Sequence, residues 1–265
     1  MSLTEKYGNT ALVAGASEGI GAAFSTFLAA AGMDLVMVAR RREPLDILAF
    51  SLTEKYHVKT TVICCDLSDQ NAAQSLKEAV CDREISVLVY NAALSYIGLF
   101  EKNSSEHHNH IARANMVTPM NLVHIFGENM LKKGKGAIIL MASLAGFQGS
   151  GFLTAYAATK AFTRVLAESL WYEWKGRSVD VIACCAGATA TENYLRTNPG
   201  RTGFFAPRVQ RPEEVVKECM KNLGRKPSFV SGLGNRIASF FMHKILPRKT
   251  AVNIMGNTTR KMYHL

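Results

Sequence analysis

A chain of 265 residues that is 48% hydrophobic can bury one substantial core, and sheets covered by helices reach this size within a single domain. Its net charge of +10 is spread in small knots at 40–42, 132–135 and 248–249 without interleaved aromatic residues, which argues against nucleic-acid binding and for anionic small molecules. No apolar run approaches the roughly 18 residues of a membrane span. The first seven residues lack the basic start and apolar core of a secretory signal, and six cysteines without Cys-x-x-Cys spacing fit reduced, buried thiols in a cytoplasm.

In chain order, Thr10 to Gly15 reads as a short buried strand that runs into Gly15-Ala-Ser17-Glu-Gly19-Ile20-Gly21 and then a helix over Ala22 to Ala31. A strand, a glycine turn and a helix start form a pyrophosphate cradle, because the backbone can approach the ligand and the helix terminus favours negative charge. The plainer alternative is a tight turn. Asp34 to Ala39 is a second strand, ending in Arg40-Arg41-Arg42 where NAD-preferring proteins place an acid. Nothing there would repel a 2′-phosphate, and Arg40 or Arg41 can pair with one, helped by the Ser17 hydroxyl. The expected cofactor is therefore NADP(H) rather than NAD(H).

Arg42 to Tyr56 reads as helix and Lys59 to Cys65 as a third strand, followed by Asp66-Leu67-Ser68. Ser68 is a candidate helix cap, and Asp66 either bonds an adenine amine or caps the turn. Ser86 to Asn91 is a fourth strand, with Asn91-Ala92 at its end, and one helix is expected from about Ser104 to Leu131. His107, His108 and His110 at its start are read as solvated, since no cysteine or spaced carboxylate completes a metal set. Asn115, on an apolar face, is either a satisfied core amide or the holder of a water in a proton path.

Ala137 to Ala142 is a fifth strand, and Thr154 to Trp174 a long helix. Between them Ser143 sits at the strand end, with Tyr156 and Lys160 one helical turn apart. A hydroxyl, a phenol and an ammonium converging at one sheet edge can run acid–base chemistry on a carbonyl. A tyrosine of pKa about 10 needs its phenolate stabilised, and an ammonium about 4 to 5 Å away supplies roughly 3 to 4 kcal/mol at an effective dielectric near 20. Ser143 can hold the substrate oxygen. By spacing alone, a packed aromatic and a solvated lysine are the better reading of Tyr156 and Lys160.

Ser178 to Cys185 is a sixth strand. The turn Gly187-Ala-Thr189-Ala-Thr191 after it is placed to hold a nicotinamide carboxamide. The stretch at about 192–211, with Tyr194, Phe204 and Phe205, reads as a mobile lid with an apolar inner face. Pro212 to Leu223 is helix, Ser228 to Ser231 a last strand, and 233–265 a basic and apolar extension of the 1–232 domain. Covering a substrate mouth, packing on another subunit and resting on a membrane surface are its three possible roles, with subunit packing favoured.

The glycine turn, Asn91, Asn115, Ser143, Tyr156 and Lys160 in this order resemble the short-chain dehydrogenases/reductases over Lys6 to Ser231. The resemblance implies an α/β, single-domain Rossmann fold: a doubly wound parallel sheet of about seven strands with helices on both faces. It implies that Ser143 positions the substrate oxygen and Tyr156 exchanges its proton. Lys160 would lower the tyrosine pKa and bind the nicotinamide ribose, and Asn115 would anchor a water of the relay. It also implies a homodimer or homotetramer built through the two long helices. Ala14, Tyr90-Asn91-Ala92-Ala93 and Ala186-Gly187 depart from the usual pattern.

Glu5-Lys-Tyr-Gly, Ser17-Glu-Gly, Val36-Met-Val-Ala-Arg-Arg and Ala188 to Thr191 with Asn198-Pro199-Gly200 are similar to bacterial NADP-dependent bile-acid hydroxysteroid dehydrogenases, especially the 7β type. The expected activity is interconversion of a secondary alcohol and a ketone on an apolar, steroid-like substrate. A 3-oxoacyl reductase is the enzymatic alternative, and a cofactor-binding sensor without turnover the non-enzymatic one.

Overall fold

A computed structural model describes residues 1–197, 200 and 209–265. Among them, seven parallel strands form one sheet in the order β3-β2-β1-β4-β5-β6-β7: β1 Thr10–Ala14, β2 Asp34–Ala39, β3 Thr60–Cys64, β4 Val87–Tyr90, β5 Gly136–Ser143, β6 Val179–Ala186 and β7 Ser228–Val230. The central strands are apolar along nearly their whole length and buried on both faces, as a sheet covered by helices on each side requires. One layer of core gathers Val13, Phe24, Leu28, Met37, Ile139 and Val215. The other gathers Leu12, Leu76, Leu88, Leu122, Ile138 and Trp174.

The helices are α1 Leu3–Tyr7, α2 Gly19–Ala30, α3 Arg42–Tyr56, α4 Ala72–Val80, α5 Ser105–Ala112, α6 Thr118–Lys133, α7 Thr154–Glu173, α8 Glu192–Arg196, α9 Pro212–Asn222, α10 Leu233–Phe240 and α11 Arg248–Met262. β1 pairs with β2 on one side and β4 on the other. The chain reverses its direction of travel there, and a crevice opens outside the carboxyl ends of these strands. No helix among the described residues is long and apolar enough to cross a membrane.

Several expectations are corrected. α2 begins at Gly19, inside the glycine turn, rather than at Ala22. Ser68 caps no helix: Asn71 precedes α4, and Ser68 instead bonds Asp66 through both its N–H and its hydroxyl. The helix expected from Ser104 to Leu131 is broken at Arg113–Val117 into a wider π turn. His108 is only partly solvated: its ring stacks on Phe100 at 4.2 Å. Of the cysteines, all free, Cys64 and Cys81 are exposed and only Cys184, Cys185 and Cys219 are buried.

The 192–211 stretch opens as a helix, α8, capped by the Thr191 hydroxyl. Phe204, Phe205, Asn198 and Pro199 lie outside the described residues. The extension is helical, α10 and α11 joined by a π turn at Phe241–Ile245, and it folds back on its own chain.

Candidate active site

β1 delivers the glycine turn to the crevice. A Cβ on Gly21 would collide with the Gly15 carbonyl, and one on Gly19, where φ is +56°, would lie 2.6 Å from Thr191 Cγ2. Only glycine allows α2 to start this close to the strand end. The Glu18 side chain at the N-cap makes no cap hydrogen bond, so among the described residues the leading N–H groups at Gly19, Ile20 and Gly21 are left as the orphan donors of a helix start, suited to an anion. Asn91 Nδ2 donates to the Gly15 carbonyl at 3.1 Å, and the N–H groups of Asn91 and Ala92 both bond Ala14 O at 2.9 Å. The end of β4 thus braces the turn.

At the end of β2, Arg40 is exposed while Arg41 pairs with Glu18 Oε2 at 2.5 Å. Glu18, within the glycine turn, also pairs with Arg196 of α8 at 3.2 Å. Burial pushes the Asp66 carboxyl up, but the Ser68 hydrogen bonds with Arg40 and His110 outweigh it and hold the group below its ordinary range. Asp66 caps its own turn, and Leu67 O accepts from Thr118 Oγ1 at 2.9 Å.

Ser143, Tyr156 and Lys160 are brought together at the end of β5 and the start of α7. Ser143 accepts from Ala145 N at 3.2 Å, which leaves its O–H free to turn to Tyr156. Burial pushes the Tyr156 phenol up, a hydrogen bond with Ser143 pulls it down, and Tyr263 raises it further. Lys160 is 4% exposed; its ammonium donates to Met141 O at 2.7 Å and lies 5.6 Å from the Tyr156 ring centre.

Burial lowers the Lys160 pKa to about 8. Burial is the leading influence on both groups, and the ammonium makes its closest contact with a backbone carbonyl.

Asn115 sits in the π turn. Its Oδ1 accepts from Leu94 N at 2.8 Å, and its two N–H groups donate to Leu94 O at 2.8 Å and Thr159 Oγ1 at 3.0 Å. The amide is thus a brace that ties the loop after β4 to α7. Tyr90 supports the same turn: its phenol donates to Ala114 O at 2.5 Å, which gives a role to one of the departures seen in sequence.

Opposite, β5 and β6 pair Ser143 with Ala186, so the turn with Gly187, Thr189 and Thr191 lies beside Ser143. Thr189 is buried and donates to Gly187 O at 3.1 Å, while Thr191 is spent on capping α8. Asn235 of α10 packs on Gly187 and donates to Gln210 Oε1 at 3.2 Å.

The extension closes this side. His243 stacks on Phe147 at 4.8 Å, Arg248 donates to Phe147 O at 2.9 Å, and Arg260 lies 5.3 Å from the Phe152 ring. Phe152 is held at φ +66°, a left-handed conformation costly for an aromatic residue. Tyr263 comes close enough to Tyr156 and Tyr194 to raise both phenols. Glu18, Arg196, Gln210, Asn235 and Tyr263 were missed in sequence. Only Glu18, a charge inside a glycine turn, carried a local signal.

Residues 9–201 match the family model described as short chain dehydrogenase. The chain belongs to the short chain dehydrogenase family. It is 35% identical over 236 residues to a 7beta-hydroxysteroid dehydrogenase of Clostridium sardiniense, covering 89% of this chain and 90% of that one. A solved 7beta-hydroxysteroid dehydrogenase superposes with a TM-score of 0.91 at 32% identity, covering 96% and 99% of the two chains. A short-chain dehydrogenase from Sphingobium yanoikuyae, solved with NADPH, gives 0.75 at 28% identity, covering 84% and 87%. As in the short chain dehydrogenases at large, this is an oxidoreductase acting on hydroxyl groups, and the uncapped α2 terminus with its glycine cradle fits a dinucleotide.

Proposed function

We propose that the chain is an NADP(H)-dependent oxidoreductase that interconverts a secondary alcohol and a ketone on a hydroxysteroid of the bile-acid type. The observation that carries this reading is the convergence of Ser143, Tyr156 and buried Lys160 beside a glycine cradle whose helix start the Glu18 side chain leaves uncapped. Likeness to 7beta-hydroxysteroid dehydrogenases supports the substrate class. Arg40 and Arg41, with no acid at the end of β2, support the 2′-phosphate. Bound NADP(H) supplies or takes up the hydride equivalent.

The chain's own groups do the rest. In reduction Tyr156, kept protonated by burial, donates its phenolic proton to the ketone oxygen while Ser143 steadies that oxygen. Lys160, charged below its pKa of about 8, sits behind the phenol to offset the phenolate that remains. Asn115 holds Leu94 and Thr159 so that the wall of the cleft keeps its place. Gly15, Ser17, Gly19, Ile20 and Gly21 would hold the pyrophosphate side, Asp66, Leu67, Asn91 and Ala92 the adenosine side, and Gly187, Thr189 and Thr191 the nicotinamide. Tyr194 would line the substrate mouth.

A cytoplasmic location is part of the reading and is supported by the free thiols. A homodimer or homotetramer is supported by the exposed Val117, Met120, Val165 and Tyr172 on the two long helical stretches. The test is a panel of oxidised bile acids, 3-oxoacyl thioesters and simple ketones, each with NADPH and NADH. Bile-acid ketones reduced with NADPH at the highest kcat/KM are expected; a preference for NADH or for acyl thioesters would overturn the cofactor or substrate assignment respectively.

A further inference from the structure

From Ser231 to Leu265 the chain carries six basic side chains, Arg236, Lys244, Arg248, Lys249, Arg260 and Lys261, and no aspartate or glutamate. Most of the net charge of the whole molecule therefore lies in its last 35 residues. The face that this segment shows to solvent is apolar. Leu233, Ile237, Phe240, Phe241 and Ile245 are each 52% to 67% exposed.

At 3.6 residues per turn the first four fall on one side of α10, and the wider turn at Phe241–Ile245 brings Ile245 back onto the same stripe. The inner face is the more polar one, with Asn235 buried and Ser239 and His243 partly so. A surface helix ordinarily buries its apolar side and wets its polar side; α10 does the reverse.

We infer that this stripe and its basic flanks dock the protein on an anionic lipid surface. Apolar residues on one face with Lys and Arg beside them are what an interfacial helix needs. Lys244 and Lys249 are exposed and make no ion pair among the described residues. A second copy of the chain is the poorer occupant, because it would bring the same acid-free segment against itself.

Position adds a consequence. α10 leaves the carboxyl end of β7, and the turn that presents Phe241 outward presents His243 inward to Phe147, four residues beyond Ser143. A docked surface would lie about one helix thickness, roughly 10 Å, from the substrate cleft.

Co-sedimentation of the full chain with vesicles of phosphatidylcholine alone, and of phosphatidylcholine with about one third phosphatidylglycerol, tests this. Binding to the anionic vesicles only, weakened tenfold or more by high salt, is expected. Phe240→Glu with Phe241→Glu should abolish it without changing the thermal midpoint, and Ile237→Glu is the second variant should that pair not fold. Lys244→Glu with Lys249→Glu should weaken binding severalfold. Absence of binding at low salt, binding that survives the apolar-to-acid variants, or a dimer in sedimentation equilibrium that those variants dissociate would overturn the proposal.

Discussion

The two walls of the cleft are built by different means. On the nucleotide side, position is set by backbone: a glycine turn, an uncapped helix start and carbonyls bonded by Asn91 and its neighbours. On the tail side it is set by side chains lying on one another, with His243 on Phe147, Arg260 over Phe152, and Tyr263 near Tyr156 and Tyr194. Backbone geometry tolerates almost no substitution at the contact points. Stacked side chains tolerate many, each at a small loss, so the tail side can change with little harm to the fold.

The proposed proton donor between the walls gives the largest expected effect. Tyr156→Phe should lower kcat for a good ketone by about 10²- to 10⁴-fold while leaving the dissociation constant for NADPH near its original value. An unchanged rate would remove Tyr156 from the chemistry.

Gly21→Ala sharpens the comparison from the nucleotide side. The added methyl meets the Gly15 carbonyl, an overpacking worth about 1–3 kcal/mol, so NADPH binding should weaken by about ten- to a hundredfold with a lower thermal midpoint. Arg260→Ala is its counterpart on the tail side: the midpoint should hold, and KM for a bulky ketone should change severalfold while KM for a small ketone stays put. Equal losses from the two substitutions would erase the distinction between the walls.

Lys160 offers a test by pH. Its folded pKa, about 8, lies below the 10.5 of the free side chain, so between these values the unfolded chain binds more protons and stability should rise with pH. Below about 8 both states are protonated and the full burial penalty, on the order of 3 kcal/mol, is present. Denaturant titrations from pH 7.5 to 10.5 should show this rise in the parent and its absence in Lys160→Met. The smallest effect is expected from Glu18→Gln, which frees Arg41 and Arg196. Exposed ion pairs contribute about 0.2–1 kcal/mol, so NADPH affinity should shift by no more than about fivefold and NADH affinity not at all.

How much of this was legible in sequence follows from what carries each part. The strands of the sheet rest on apolar runs long enough to read, though their order across it does not, and Ser143, Tyr156 and Lys160 rest on their place at the end of one run and the start of the next. Ser68 misled because a serine before a helical pattern looks like a cap whether or not it finds a nearer partner, here Asp66. The burial of Lys160 and Tyr156 was not legible because spacing reveals proximity but not burial. Tyr263, Asn235 and Gln210 were invisible, since they reach the cleft only through the way the chain returns after β6 and β7.

The wide turn at Arg113–Val117 carries a consequence for the whole edge of the cleft. An inserted residue frees carbonyls from the regular ladder, and here Ala114 O is taken by Tyr90 and Asn115 O lies 3.5 Å from Thr163 Oγ1. The irregularity works as a socket whose lining comes from two other elements. Deleting one residue there would let ordinary helix form, and Asn115 would swing by about a quarter turn or more away from Leu94. The loop after β4 would lose its anchor although every residue named in the chemistry remained in the chain.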